Sequence, residues 1–247
     1  MASQNQKVLN TTQGHILKPL IFYSVPIMLS NVLQLLFNAA DIVIVGQFVN
    51  EKAVAAVGCT SLIISVIVSL FGGLCIAPTI LISKNVGVGN NDHHSIIHTS
   101  FSLGIILGIL SLAVGMFISK PMLALLKTPS DIIEQSTLYL KIYFLGQPGL
   151  LVYNFARSVL VAKGDTKSPF NYLAFAGVIN VILNIFLVTV LRLGVAGVAI
   201  ATIVSQYISA ILTTRKLVKT EGDFHLDLSK LRIDLKVTKN IVRIGLP

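Results

Sequence analysis

Residues 23–46 read YSVPIMLSNVLQLLFNAADIVIVG, an apolar stretch that is long enough to cross a lipid bilayer as a helix. The stretch carries one carboxylate, Asp41. A charged side chain inside hydrocarbon costs several kcal/mol, so proteins that retain one there generally use it. Pro26 lies near the start of the stretch, where it removes a backbone hydrogen bond and provides a bending point. The sequence therefore predicts a transmembrane helix with a functional acid and a conformational hinge.

The polar side chains of this stretch recur at helical spacing. Asn31, Gln34, Asn38 and Asp41 are separated by three, four and three residues, which places them on one face of an α-helix. Because lipid cannot hydrogen-bond these groups, we expect the face to be directed toward protein or toward a water-filled cavity.

The composition is that of an integral membrane protein. Of 247 residues, 54% are hydrophobic and 12% are charged, against about 25% charged residues in an average soluble domain. The apolar residues form blocks of helix-spanning length, which indicates a helical bundle and not an outer-membrane barrel. Both cysteines, Cys59 and Cys75, fall in one such block, so we expect small buried side chains and neither a disulfide nor a metal site.

The fold class that follows is an all-α polytopic membrane protein, a six-transmembrane-helix bundle. Its predicted spans are about 18–45, 53–83, 95–119, 136–157, 169–191 and 195–214. Several exceed the length that a perpendicular helix needs, which indicates tilt or kinks. The connection at Arg192 to Gly194 is short enough to force an antiparallel helical hairpin.

The distribution of Lys and Arg predicts the orientation of the bundle. If the N-terminus is cytoplasmic, the outer segments hold only five of the 19 basic residues, namely Lys52, Lys120, Lys127, Lys141 and Arg192. This excess on the inner side predicts a multi-pass protein of the cell (plasma or inner) membrane with its N-terminus in the cytoplasm. The positive charge is then a topology signal whose partner is anionic membrane lipid. No stacking platform accompanies it, which excludes nucleic acid.

The chain divides into four predicted segments. Residues 1–17 form a cytoplasmic N-terminal tail without a signal-peptide cleavage site, and residues 18–214 form the six-helix lobe. Residues 215–238 form a cytoplasmic connection that is either amphipathic at the interface or solvated. Residues 239–247 start a second lobe, because they repeat the Lys-to-Pro spacing of residues 18–26. The chain thus reads as the front half of a two-lobe transporter with parallel repeats.

Two later spans carry polar rows of their own. Gly177, Asn180 and Asn184 share one face of the fifth span, and Thr202, Gln206 and Ser209 share one face of the sixth. The fourth span adds Tyr139 near its outer end and Asn154 nearer its inner end. Counted along the helices, Asp41, Asn180, Asn184 and Thr202 lie at comparable depth. These residues could together ligate a proton or a small cation.

The remaining motifs of the sequence indicate neither a metal site nor a catalytic site. His93, His94 and His98 lie at an inner loop, with His94 and His98 one helical turn apart, but nothing nearby completes a metal shell, so we expect solvated histidines and no metal site. No nucleophile with a base and an orienting acid is visible, which argues against an enzyme.

Three features together resemble the multidrug and toxic compound extrusion (MATE) family, over essentially the whole chain. They are Pro26 with Asp41, the motif RSVLVAKGDTKSP at residues 157–169, and the motif NVILN at residues 180–184. The resemblance implies two six-helix lobes around a central cleft and exchange of an organic cation or drug against H⁺ or Na⁺, with no other cofactor.

The resemblance also implies roles for individual residues. Asp41 would be the cation-binding acid and Pro26 the hinge that responds to it. The cation or proton site would further include Asn180, Asn184, Thr202 and Tyr139, and the substrate cavity would include Gln34, Asn38 and Asn154. Many family members have a second acid where this chain has Asn184, and an amide cannot take up a proton. Asp41 is therefore the one titratable group expected in this cluster.

The sequence leaves two alternative functions open. A lipid-linked saccharide flippase of related architecture would be expected to hold several cationic side chains in its cleft, and here only Lys141 and Arg157 approach it. A non-transporting membrane scaffold subunit would not depend on Asp41.

Overall fold

The computed structural model describes residues 17–89 and 93–246, with side chains from residue 21 onward except that of residue 22. Its helices are α1 (Leu17–Phe48), α2 (Glu51–Gly87), α3 (His94–Leu125), α4 (Ile133–Leu145), α5 (Gln147–Ala162), α6 (Lys167–Ile185), α7 (Val195–Val218) and α8 (Leu235–Gly245). A π-helical turn, Phe186–Val190, extends α6, and short 3₁₀ turns at Gly222–Phe224 and Leu228–Lys230 connect α7 to α8. The predicted N-terminal tail at residues 1–17 and Pro247 lie outside the described residues, apart from Leu17.

Five of the described helices are long and apolar enough to cross a membrane: α1 from Tyr23 onward, α2, α3, α6 with its π-helical turn, and α7. They match five of the six predicted spans, and the exposed side chains of their outer faces are predominantly large and apolar. A bundle with apolar sides is what a lipid environment requires. The all-α membrane fold expected from composition is therefore confirmed.

The fourth predicted span is not one helix but two. α4 ends at Leu145 and α5 begins at Gln147, with Gly146 between them. Pro148 has no N–H to donate to the helical turn before it, which explains the break. Each half is too short to cross a bilayer alone, so the fourth crossing is made by α4 and α5 together.

The centre of the bundle is α5, which packs against α2, α3 and α7. Small residues on α3 allow this packing: a Cβ on Gly108 would lie 2.5 Å from the Cα of Pro148. Close backbone contact of this kind is the usual means of helix association in membranes. α1 packs on the side of this centre, mainly against α6 and α2.

The predicted hairpin between α6 and α7 is present. Arg192 and Gly194 both have left-handed backbone conformations, with φ of 54° and 56°, and the N–H of Leu193 donates to the carbonyl of Leu187 at 3.0 Å. The reversal holds α6 and α7 side by side, so their polar rows come together.

The connection from α7 to α8 is anchored on the start of α3. The N–H of Asp227 donates to Nε2 of His98 at 3.2 Å, and the N–H of Asp234 donates to Oγ1 of Thr99 at 3.1 Å. Leu226 is fully buried. The expectation of solvated histidines is therefore wrong at positions 93 and 98, because these residues are 1% and 5% exposed and His98 accepts a hydrogen bond from the connection. No group of metal-ligating side chains occurs among the described residues.

Candidate cation-binding site

Asp41 lies in the second half of α1 with its side chain completely buried, at 0% exposure. α1 presents it to a space that α4, α6 and α7 enclose. The polar face predicted for α1 therefore points toward these helices at Asp41, in agreement with the helical spacing of the sequence. Nearer the start of α1 the same face is open, since Asn31 is exposed and Gln34 and Asn38 are partly buried.

Three neutral side chains donate hydrogen bonds to the Asp41 carboxylate. The hydroxyl of Tyr139 donates to Oδ2 at 2.9 Å, and Nδ2 of Asn184 donates to Oδ1 at 2.9 Å. The hydroxyl of Thr202 lies 3.0 Å from Oδ2 and 3.3 Å from Oδ1. The residues come from α4, α6 and α7 respectively, so one carboxylate joins four helices.

Asn180 extends this network by one further position. Its Nδ2 donates to the Thr202 hydroxyl at 3.2 Å, and its Oδ1 accepts from Nδ2 of Asn184 at 3.1 Å. The five residues predicted from the sequence for the cation or proton site thus form one connected hydrogen-bond network. We refer to Asp41, Tyr139, Asn180, Asn184 and Thr202 as the Asp41 cluster.

The electrostatics of the Asp41 cluster are those of an uncompensated acid. No described Lys, Arg or His forms an ion pair with Asp41, and its hydrogen-bond donors are neutral. Isolated negative charge is costly at this depth, and a proton or a cation relieves that cost. Oδ1 of Asn184 is buried and makes no hydrogen bond within the described part of the chain, so the amide that donates to the carboxylate also has an unused oxygen. Oxygen atoms of this kind are the ligands that hard cations prefer.

Gly177 sets how closely α1 approaches α6 beside the Asp41 cluster. A Cβ at this position would lie 2.6 Å from Cε1 of Phe37 on α1. The glycine that the sequence places one turn before Asn180 therefore accommodates an aromatic ring. This close approach of the two helices allows the Asp41 side chain on α1 to contact Asn184 on α6.

The predicted cavity residues meet only in part. Nε2 of Gln34 lies 3.4 Å from Oδ1 of Asn154 on α5, whereas Asn38 is one turn further along α1 toward Asp41. Pro26 lies within α1, which continues through it, and the hydroxyl of Ser30 donates to the Pro26 carbonyl at 2.8 Å.

Sequence reasoning missed a second set of contacts on α1, close to Pro26. The guanidinium of Arg157 on α5 donates to the carbonyl of Ile27 and to Oδ1 of Asn31, at 3.1 Å in each case. The hydroxyl of Tyr23 donates to the carbonyl of Val161 at the end of α5. We call this set the Arg157 anchor. The sequence places Arg157 near the cleft at the inner end of a span, but its spacing does not predict a contact with α1.

A second polar group lies at the break between α4 and α5. Tyr143 lies beside the side chain of Gln206 of α7, and Gln147, the first residue of α5, is fully buried. Among the described residues, neither amide atom of Gln147 nor Oε1 of Gln206 has a hydrogen-bond partner. Gln206 was part of the predicted polar row on α7, whereas Tyr143 and Gln147 were not expected because the fourth span was read as one helix.

Comparison with known proteins places this geometry in a family context. The MatE family model matches residues 26–186, which contain the described helices from Pro26 of α1 through α6. The chain is 37% identical over 206 residues to "Probable multidrug resistance protein YpnP" of Bacillus subtilis (strain 168), covering 82% of this chain and 46% of that protein. It is 28% identical over 233 residues to "Probable multidrug resistance protein YoeA" of the same organism, covering 91% of this chain and 50% of that protein.

A solved structure shares the fold. The protein described as "MATE in the bent conformation" superposes with a TM-score of 0.90 at 22% identity, over 98% of this chain and 54% of that one. At this identity the likeness concerns the fold alone. The chain thus spans about half the length of the relatives that it matches.

Proposed function

The chain belongs to the MatE family, and from this premise we propose that it forms the N-terminal lobe of a secondary active transporter that exports drugs. Members of the family are transporters and not enzymes. The transported substrates are organic cations or drugs, in keeping with the multidrug resistance names of the relatives. A second six-helix lobe of the same protein completes the central cleft.

The observation that carries the proposal is the Asp41 cluster. The Asp41 carboxylate is completely buried and has only neutral hydrogen-bond donors, from three helices. Binding of a cation is energetically favourable here, because it neutralises an uncompensated charge in the membrane interior. Asp41 is the coupling residue in this proposal, and the coupling ion is H⁺ or Na⁺.

Binding at Asp41 acts on the helix that carries it. In the charged state the hydroxyls of Tyr139 and Thr202 both donate to the carboxylate. A protonated or cation-bound Asp41 needs fewer donors, so these hydroxyls turn and the packing of α1 against α4 and α7 changes. Pro26 is the position at which α1 can bend in response. Bending reshapes the cavity beside Gln34, Asn38 and Asn154 and releases substrate on the outer side.

The orientation in this proposal is the one that the basic residues favour, with both ends of the chain in the cytoplasm. The cation then enters the Asp41 cluster from outside the cell membrane, because Asp41 lies toward the end of α1 that is remote from the N-terminus.

The decisive experiment measures drug accumulation in cells that express the gene encoding this chain, comparing wild type with Asp41→Asn under independently varied pH and Na⁺ gradients. We expect Asp41→Asn to abolish export while the protein remains inserted in the membrane. Wild-type export should follow one of the two gradients, which identifies the coupling ion.

A matched control is Asp131→Asn, which removes a carboxylate whose side chain is 53% exposed and pairs with Lys52 at a helix connection. Export should be unaffected by this change. If wild-type export persisted with both gradients removed, or if Asp41→Asn left export unchanged, the proposal would be wrong.

A further inference from the structure

A long groove runs along the outside of the bundle between α5 and α7. It has a volume of about 470 Å³, and its walls are formed mainly by apolar groups, among them Val152, Ala210 and Ile211. Ile211 is 62% exposed, so the groove opens to the side of the bundle, where a membrane protein meets lipid.

One end of the groove is basic and the other is not. Arg215 and Lys219 line the end at which α7 leaves the bundle, and Leu228 from the connection covers it. Both basic side chains are exposed, and neither forms an ion pair with a described acidic residue. The opposite end lies beside Pro148 and Tyr207, near the break between α4 and α5.

The length of the groove corresponds to one leaflet of a bilayer. Tyr207 and Lys219 are twelve residues apart on α7, which is about 18 Å along a helix. The hydrocarbon core is about 30 Å thick, so each leaflet contributes about 15 Å. A single acyl chain that enters beside the basic end therefore fits the groove without extending into the other leaflet.

From these observations we infer that the groove between α5 and α7 binds an anionic phospholipid. One acyl chain lies along Val152, Ala210 and Ile211, and the phosphate-bearing headgroup contacts Arg215 and Lys219. Arginine and lysine at the level of the headgroups attract anionic lipid, and the arginine guanidinium can bind a phosphate through two hydrogen bonds. The inference concerns lipid occupancy and is independent of what the protein transports.

The 247 residues contain no tryptophan, so a fluorescence test is direct once any tryptophan outside these residues is replaced by phenylalanine. A single Ile211→Trp substitution places a fluorophore in the groove, and lipids with brominated acyl chains quench it on contact. The protein is reconstituted in phosphatidylcholine vesicles that contain a minor fraction of either brominated phosphatidylglycerol or brominated phosphatidylcholine. We expect brominated phosphatidylglycerol to bind beside Ile211→Trp roughly 30-fold more tightly than brominated phosphatidylcholine, because two basic side chains contribute.

A second tryptophan position shows whether the preference is local. Phe175 on α6 is 56% exposed and lies about 12 Å from the start of its helix, whereas Ile211 lies about 11 Å from the end of α7. The two positions are therefore at similar depth. Phe175→Trp should be quenched equally by both lipids.

Charge variants separate the proposed site from general attraction to the basic side of the protein. In the Ile211→Trp background, Arg215→Gln with Lys219→Gln should remove the preference for phosphatidylglycerol. Lys236→Gln with Lys239→Gln removes the same charge from α8, which does not line the groove, and should leave it. The inference fails if the first pair retains the preference, if both pairs lose it equally, or if Phe175→Trp shares it. Absence of quenching by either lipid would mean that protein fills the groove, and would also overturn the inference.

Discussion

The two halves of α1 are held in the bundle by different chemistry. In the second half, Asp41 is fully buried and accepts hydrogen bonds from three helices. In the first half, Asn31 is exposed and accepts from one partly buried side chain, Arg157 of α5. Pro26 lies at the exposed end and not beside the acid.

This difference separates the part of α1 that senses charge from the part that can move. A buried hydrogen bond to a charged group is strong and costly to leave unmade, whereas a hydrogen bond at an exposed position exchanges readily with water. Local opening is expected where few groups are buried. α1 is therefore fixed at the Asp41 cluster, and it can release the Arg157 anchor at low cost.

The largest effect is expected from Tyr139→Phe, which removes one donor from the buried Asp41 carboxylate. The loss should lower the free energy of unfolding by about 1.5–3 kcal/mol, since the acceptor is charged. Unfolding of the detergent-solubilised protein in SDS measures it. In an Asp41→Asn background the same change should cost less than about 1 kcal/mol, since the acceptor is then neutral.

The control for this prediction is Tyr172→Phe, which removes a partly buried hydroxyl that makes no hydrogen bond within the described chain. Equal losses for Tyr139→Phe and Tyr172→Phe would contradict the distinction between the two halves of α1.

A somewhat smaller effect is expected from Gly177→Ala, which acts on the spacing between α1 and α6. The added Cβ would lie 2.6 Å from the Phe37 ring, so the ring or the helix must move, at a cost of about 1–3 kcal/mol. Export should fall as Asp41 is displaced from Asn184. Phe37→Leu should restore both stability and export in the Gly177→Ala protein. Failure of this rescue would show that the contact between position 177 and the Phe37 ring does not cause the loss.

The sequence predicts those site residues whose positions are determined by helix geometry alone. Helical spacing determines a face and residue counting determines a depth, and these two quantities bring Asp41, Asn180, Asn184 and Thr202 together. Tyr139 was placed at the outer end of its span in the same way. The roles assigned to these residues remain proposals, whereas the hydrogen bonds that connect them are a structural observation.

The features that the sequence did not predict depend on side-chain reach or on backbone breaks. Arg157 lies at a span end, where a long flexible side chain can turn to water, to lipid headgroups or, as found, to α1. The break at Gly146 was hidden because Gln147 and Pro148 stand within an otherwise apolar run. His98 was read as solvated because the connection that covers it is distant in sequence.

A weaker effect on stability is expected from Arg157→Gln, which removes the contacts to Ile27 and Asn31. The cost should be below about 1 kcal/mol, because Asn31 is exposed and water can replace the lost contacts of the charged guanidinium. Amide hydrogen exchange around residues 27–34 should become faster, while exchange around Asp41 should not change. Arg232→Gln, an exposed arginine in the connection, is the control. Faster exchange along the whole of α1 would mean that its two halves are coupled more tightly than we infer.

The smallest effect is expected in the connection between α7 and α8. Measuring it distinguishes a pH response of Asp41 from a pH response of the acidic residues in the connection. Hydrogen bonds from the Val237 N–H, the Ser95 hydroxyl and the Lys236 N–H lower the pKa of Asp234. The Ser229 hydroxyl and N–H, with Lys230, lower the pKa of Asp227 from 3.8 to about 2.

A lowered pKa in the folded protein stabilises the connection at pH values above the ordinary pKa, and this stabilisation is lost as the pH falls through the lowered one. Between about pH 5 and 8 both carboxylates stay ionised, so neither should contribute to a change in the hydrogen exchange of α8, corrected for its intrinsic pH dependence. Below about pH 4 their protonation should make this exchange faster, and Asp234→Asn, which keeps a capping acceptor for the first turn of α8, should lessen that acid dependence. If α8 responds near neutral pH, a response of α1 in the same range could no longer be assigned to Asp41. If α8 does not respond, a change of hydrogen exchange in α1 over that range can be assigned to the Asp41 cluster, in which Asp41 is the one acidic residue.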